Sequence, residues 1–429
     1  MKLAYKKTSL DNGLRILTCA MPHTYSVGVG FYVAVGSRYE QPATAGSAHF
    51  VEHMLFKGTT RRPSAEVIAR EIEGHGGVFN ASTGQEMTVL WAKMQHTHLP
   101  LALDVLADML RNSLLQPEEV EKERRVILEE ISSSQDVPEE LVSLHVQELT
   151  WPGHPLGWDV AGTPVSVTNL GRSMLQEFLQ THYGPQSTVL AVAGAIQHDK
   201  VTSLAAGLLG DWQQIQPRDF VPAPEDGAAP RATVANKRIE QTHLVLHFPG
   251  MSRGDEDRFA LTLLNVVLGE GMSSRLFLEI RERLGLAYAV DSYTSNLADT
   301  GIVGIYAAVD PERTGEALSA VYEQLCRLRD EPVDAATLGN AREFVKGRML
   351  LSLEDTLSVA AWYGRQEALG VEIMTVEQVI QRLEQVTPED LQRVARRVFR
   401  ANGSKLALVG PHRRSESGRF RAALGEALS

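Results

Sequence analysis

The residues best suited to chemistry are two histidines four positions apart with a glutamate between them, in Ser47-Ala48-His49-Phe50-Val51-Glu52-His53-Met54-Leu55-Phe56-Lys57-Gly58. An α-helix turns about 100° per residue, so positions i and i+4 share a face one turn apart. His49 and His53 then point the same way, and Glu52 flanks them. Two imidazoles and a nearby carboxylate are what a catalytic zinc uses: nitrogen ligands, and a base beside an activated water. The order H-x-x-E-H inverts the commoner H-E-x-x-H motif. With 13 histidines in 429 residues, such a pattern arises by chance in roughly 3 % of chains of this kind. A third ligand is therefore required before the pattern means a metal site.

The helix opened by Pro117 and running to about Ser134 offers one. Val120, Glu123, Ile127, Glu130 and Ile131 recur at three- and four-residue spacing, while Glu119, Lys122, Arg125 and Glu129 form a polar stripe. Glu123 and Glu130 thus fall on the face expected to be buried, and Glu129 faces water. Carboxylates on an apolar face are costly without a positive partner. A metal ion would be such a partner; a buried salt bridge to an arginine is the alternative, and helix-face reasoning leaves both open.

Other elements must position these groups. Asp11-Asn12-Gly13 between two apolar-rich runs predicts a hairpin, and Ser26 to Val35 reads as a strand. Gly58 suits the end of the motif helix. A further helix is bounded by Ser64 as N-cap and Gly74 as stop. Gly76 to Thr83 reads as a turn into a strand, Thr88 to Met94 as its neighbour, residues 99–115 and 167–183 as helices, and Thr188 to Ile196 as a strand. Gln216 to Asn236, with four prolines and no apolar periodicity, reads as a linker.

After that linker the pattern restarts. Val167-Thr168, a helix, Tyr183-Gly184-Pro185-Gln186-Ser187 and the apolar run Thr188 to Gly194 close the first half; Val386-Thr387, a helix, Arg400-Ala401-Asn402-Gly403-Ser404 and Lys405 to Gly410 close the second, at an offset of a little over 210 residues. Likewise Glu71 to Val78 corresponds to Glu279 to Leu286. Two homologous domains follow, 1–216 and 237–429 joined by 217–236, each an antiparallel sheet packed with α-helices: an α+β protein. The segment equivalent to the motif helix, Arg258 to Val266, carries no metal ligands.

The composition, 43 % hydrophobic and 22 % charged, is that of a globular protein, and a net charge of −11 argues against nucleic-acid binding. No apolar run of the roughly 18 residues needed to span a membrane occurs, and Met1 to Ala20 has no signal-peptide core. Cys19 and Cys326 lie far apart and suggest a reducing compartment, so the cytoplasm is expected. His75, His96 and His98 have no ligand-set spacing, and Gly269-Glu270-Gly271 lacks the Lys-Ser/Thr of a phosphate loop.

Over essentially its whole length the chain resembles the pitrilysin, insulysin and mitochondrial-processing-peptidase group of zinc peptidases, in its small two-domain bacterial form. That group has the H-x-x-E-H helix and a third ligand, a glutamate about 76 residues further on; here Glu130 lies 77 residues after His53. A second family glutamate, seven residues earlier, falls on Glu123, where it would orient a ligand. A family Arg–Tyr pair in the other domain matches Arg281 and Tyr288, implying contacts to substrate carbonyl and oxyanion. The strand around Asn80 and Ala81 matches the segment that pairs with bound peptide.

The resemblance implies a zinc metalloendopeptidase with one Zn2+ per chain, held by His49, His53 and Glu130, and with Glu52 as general base. Its substrates would be peptides or unfolded polypeptide segments, cut inside a closed chamber. Larger relatives enclose the chamber with four domains and this chain has two, so a homodimer is expected, or a heterodimer with an inactive homologue, with Arg281 and Tyr288 acting across the interface. The competing expectation is a non-catalytic assembly or peptide-binding subunit of the same fold.

Overall fold

The computed structural model describes residues 4–224 and 231–427. In chain order the first repeat contains β1 (Tyr5–Ser9), β2 (Arg15–Ala20), β3 (Ser26–Val33), α1 (Ser47–Leu55), α2 (Ala65–Glu73), β4 (Val78–Thr83), β5 (Thr88–Gln95), α3 (Leu99–Asn112), α4 (Pro117–Asp136), α5 (Pro138–Thr150), α6 (Pro164–Asn169), α7 (Arg172–His182), β6 (Thr188–Gly194) and α8 (His198–Leu209). The second contains β7 (Arg231–Asn236), β8 (Thr242–Pro249), α9 (Arg258–Leu268), a π-helical turn (Phe277–Arg283), β9 (Ala287–Asn296), β10 (Gly301–Val309), α10 (Thr314–Asp330), α11 (Ala335–Ser352), α12 (Thr356–Ala368), α13 (Val376–Gln385), α14 (Pro388–Val398), β11 (Lys405–Gly410) and α15 (Ser417–Ala427). The α+β repeat is plain in the strand orders, β1-β2-β6-β3-β5-β4 and β7-β11-β8-β10-β9, which coincide once β1 is set aside.

Both sheets are mixed rather than antiparallel. β2 pairs parallel with β6, and β7 with β11. The strand closing each repeat returns by a helical crossover, which a parallel neighbour requires and a hairpin cannot supply. The other pairs are antiparallel, including the β1–β2 hairpin about Asp11–Gly13, where Gly13 has φ +92°. The stretch expected to be a linker is shorter than 217–236. Val221 is tied down by the Arg38 guanidinium, which bonds its carbonyl and stacks 3.9 Å from the Phe220 ring centroid. Arg231–Asn236 forms β7, an edge strand whose short run was masked by its proline-rich neighbourhood; residues 225–230 lie outside the described residues. The helix expected at 167–183 breaks at Leu170–Gly171 into α6 and α7.

The chain forms two compact units that are not contiguous in sequence. One runs up to Ser132 and adds Trp158–Val221 and Met349–Val376; the other comprises Ser133–Gly157, Pro222–Arg348 and Glu377 onward. The reason is an exchange of equivalent helices. α12 belongs to the second repeat yet packs on β3, β6 and β2 of the first sheet. Gly28 of β3 admits it: a Cβ there would meet the Leu357 backbone at 2.6 Å. Ser26 and Thr356 hydroxyls bond at 3.0 Å, and Lys93 pairs with Asp355. α5, the equivalent helix of the first repeat, packs on the second sheet, where Val142 and Val146 join Val245, Tyr306, Ala308, Ala407 and Val409. β6 is buried along its whole length, as a strand covered on both faces must be.

Candidate metal centre

α1 is fixed at both ends. At its start Glu40, 3 % exposed, accepts the backbone N–H groups of Gly46 (2.8 Å) and Ala48 (2.7 Å). These are donors that a helix start leaves without intrahelical partners. Burial pushes the Glu40 carboxyl up to about 8, against the lowering by those two N–H bonds. Glu40 is aimed by the turn Ser37–Tyr39, which is locked to the β4–β5 hairpin: Ser37 and Arg38 N–H groups donate to Gly84 and Gln85 carbonyls, and Arg38, fully buried, pairs with Glu86. At the far end the chain turns away at Gly58, whose φ of +118° a side chain would resist. The loop beyond is pinned to α3, since Thr59 and Arg62 both donate to the buried Asp108.

α1 then presents His49 and His53 on one face, their rings 4.6 Å apart at 74°. α4 lies opposite and brings in both glutamates chosen from its face pattern. Their roles separate. Glu123, 6 % exposed, accepts from His53 Nδ1 at 3.0 Å. An ionised carboxylate only accepts, so Nδ1 carries the proton and the Nε2 lone pair is free. Glu130, two turns along α4, reaches the Nε2 side: its Oε2 lies 3.6 Å from His53 Nε2 and 3.8 Å from His49 Nε2, and the two Nε2 atoms are 3.3 Å apart. Contrary to expectation, Glu130 is not buried; its side chain is 46 % exposed. It covers the open side of the histidine pair instead of entering the core.

The three atoms form the one group among the described residues where at least three such ligands converge. Two donors held about 2.0–2.2 Å from one zinc at a tetrahedral angle lie roughly 3.3–3.6 Å apart. The His49–His53 and His53–Glu130 separations fall in that range and the His49–Glu130 one, 3.8 Å, lies 0.2 Å beyond it, so the residues fit a zinc ion with a small inward movement of the Glu130 carboxylate. Burial, with His53 beside it, pushes His49 down to about 4, which keeps its lone pair available near neutral pH. Glu52 does not join the ligand set. Its carboxylate accepts from the Thr83 hydroxyl at 2.6 Å, and burial raises its pKa, with Thr83 opposing and Glu130 reinforcing the rise. A carboxylate held in place and shifted upward suits a general base.

Thr83, Lys57 and Glu40 were not singled out from sequence. Thr83 had a signal: along β4, Phe79, Ala81 and Thr83 share the half-buried side, and Phe79 stacks on Phe56, 5.5 Å between centroids, just beyond α1. Asn80 and Ala81 lie on the same strand, which is a sheet edge, and Asn80 Oδ1 accepts from the Ala81 N–H. Arg281 and Tyr288 are brought together in the other unit. The Arg281 guanidinium lies 4.9 Å from the Phe277 centroid and 5.7 Å from that of Tyr288, a residue 73 % exposed. Tyr288 sits on β9, the edge strand equivalent to β4. His75 and His98 approach to 4.8 Å between centroids without a third ligand.

Comparison with known sequences places the chain in a family. The insulinase (peptidase family M16) profile matches residues 15–164, and that of the peptidase M16 inactive domain matches 169–344. An uncharacterized zinc protease of Streptomyces coelicolor is 38 % identical over 98 % of this chain and 92 % of its own length. The chain belongs to the insulinase family, peptidase family M16. An uncharacterized zinc protease of Mycobacterium bovis is 37 % identical over 99 % of this chain and 97 % of its own. Among known structures, a protease from Helicobacter pylori superposes with a TM-score of 0.91 at 24 % identity, covering 96 % of this chain and all of that one. The inactive-domain profile spans the end of the first repeat and the front part of the second, including α9, which carries no metal ligands. Among the described residues no helix is long and apolar enough to cross a membrane.

Proposed function

We propose that this M16 protein is a zinc-dependent metalloendopeptidase acting on peptides or unfolded polypeptide segments, with one zinc per chain. The observation that carries the reading is the convergence of His49 Nε2, His53 Nε2 and Glu130 Oε2, with the Glu52 carboxylate set apart from them. Zinc held by these three residues would supply Lewis acidity, acidifying water and polarising the scissile carbonyl. Glu52 takes the proton of the attacking water and delivers it to the leaving amine as the C–N bond breaks. Thr83 keeps that carboxylate aimed. Glu123 keeps His53 in the tautomer that offers Nε2. The open edge of β4 at Asn80 and Ala81 receives the substrate as an added strand, a mode that gives affinity with little sequence preference. Arg281 and Tyr288 contact the substrate carbonyl and the developing oxyanion, and a homodimer lets one protomer's pair serve its partner's site.

The test is metal content and turnover together. Purified protein should carry one zinc per chain and cut an unstructured peptide library, lose that activity to a chelator and regain it with zinc. Protein that holds zinc yet cuts nothing would be a peptide-binding subunit, and this reading would be wrong.

A further inference from the structure

Beyond the ligands, the chain contains a cation that no motif reading assigns. Lys57 lies four residues after His53 and two beyond the last residue of α1, where its N–H donates to the Met54 carbonyl just before Gly58 turns the chain away. Its ammonium contacts Glu123 Oε1 at 2.6 Å, while the other oxygen of the same carboxylate holds His53 Nδ1 at 3.0 Å. The Glu123 side chain is 7 % exposed and that of Lys57 26 %. The order Lys57–Glu123–His53 is thus a three-member chain running from near the surface to the metal face.

We propose that Lys57 is a positioning residue for the metal centre: it holds the Glu123 carboxylate in one orientation, and through Glu123 fixes the His53 ring with Nε2 facing the ion. A buried carboxylate with only one neutral donor is poorly compensated, and a positive partner removes most of that cost. A second donor on Oε1 also stops the carboxylate rotating about its stem, so Oε2 stays on Nδ1. Groups that orient a metal-binding histidine are commonly worth about 10–100-fold in metal affinity. Lys57 acts one bond further out, so the lower end applies, about tenfold. The inference rests on the zinc reading above and adds to it the residue that keeps the site pre-set when metal is absent.

Zinc affinity is measured by competition with a chelating dye for the wild type, Lys57→Met, Lys57→Arg and Glu123→Gln, with the thermal midpoint of each metal-free protein alongside. Met keeps the aliphatic stem and removes the charge. Lys57→Met should bind zinc about tenfold more weakly, Lys57→Arg should recover most of the loss, and Lys57→Met should add nothing in the Glu123→Gln background. In metal-free protein, 15N NMR should show His53 as the Nδ1–H tautomer in the wild type and as a mixture in Lys57→Met, a change that a surface tether would not produce. Unchanged affinity in Lys57→Met, equal loss in Lys57→Arg, or additivity with Glu123→Gln would each overturn the proposal. A wild type that binds no zinc overturns the peptidase reading instead, and the tautomer signal then decides the role of Lys57 by itself.

Discussion

Replacing Gly28 by alanine tests whether a helix from the second repeat completes the first sheet. A Cβ at Gly28 would lie 2.6 Å from Leu357 Cα, 2.7 Å from its nitrogen and 2.8 Å from the Thr356 carbonyl carbon. Carbon contacts normally sit at about 3.5–4.0 Å, so α12 would have to retreat by roughly 1 Å, and backbone atoms cannot rotate aside. Overpacking of this kind costs about 1–3 kcal/mol. The retreat also breaks the 3.0 Å Ser26–Thr356 hydroxyl bond, a further 0.5–1.5 kcal/mol or so. Against this, alanine is better than glycine in a strand by roughly 0.5–1 kcal/mol. The net expectation is a loss of about 0.5–4 kcal/mol, read as a lower thermal midpoint. Gly207 is the control: it lies exposed in α8 with nothing within 4 Å of its added Cβ, so Gly207→Ala should stabilise by roughly 0.5–1 kcal/mol. Opposite signs support the docking of α12 on β3. A Gly28→Ala protein as stable as the wild type, or more so, would mean that α12 does not dock on β3.

Other outcomes follow from the site. Thr83→Val removes a charge-assisted hydrogen bond to Glu52 worth about 1.5–3 kcal/mol, so kcat/KM should fall roughly 10–150-fold with zinc content unchanged; because that bond favours the ionised form, the acid limb of the pH–rate profile should move to higher pH. His247, enclosed by Thr150 and Tyr293 hydroxyls, is pushed down to about 3 by burial, with Lys405 adding to it. Its folded state stays neutral while an unfolded chain takes up a proton below about pH 6.5, so stability is lost as pH falls through that window; by NMR its ring should show no titration between pH 7 and 5, and a midpoint near 6.5 would refute its burial. Mixing an inactive Glu52→Gln protein with an inactive Arg281→Ala protein should restore activity on subunit exchange if the pair acts across a homodimer; no recovery would remove that arrangement.

Much of this site is legible in sequence because its periodicity is local. The i, i+4 spacing of His49 and His53, the seven-residue step from Glu123 to Glu130, and the Ser64 start and Gly74 stop of α2 need only helix geometry and capping. What resists is non-local. An amphipathic helix announces an apolar face but not which sheet will cover it, so the exchange of α5 and α12 could not be read from their own residues, although Gly28 within an otherwise apolar strand hints at a close approach. The parallel pairs β2–β6 and β7–β11 join strands far apart in the chain. Glu130 misled because a periodic face marks direction, not depth: it points toward α1 like Glu123 but from the rim. Glu40 and Lys57 reach the site by side-chain contacts that no spacing rule encodes.

The central claim is that Glu52 moves the proton beside a metal held by His49, His53 and Glu130. Glu52→Gln keeps the shape of the side chain and removes its basicity, so zinc content and peptide cleavage measured on the same preparation test the claim most directly. The expected result is one zinc per chain, as in the wild type, with kcat/KM lowered by roughly 10²–10⁴-fold, the usual worth of a positioned acid–base group. Cleavage at the wild-type rate by Glu52→Gln protein with its zinc in place would contradict it.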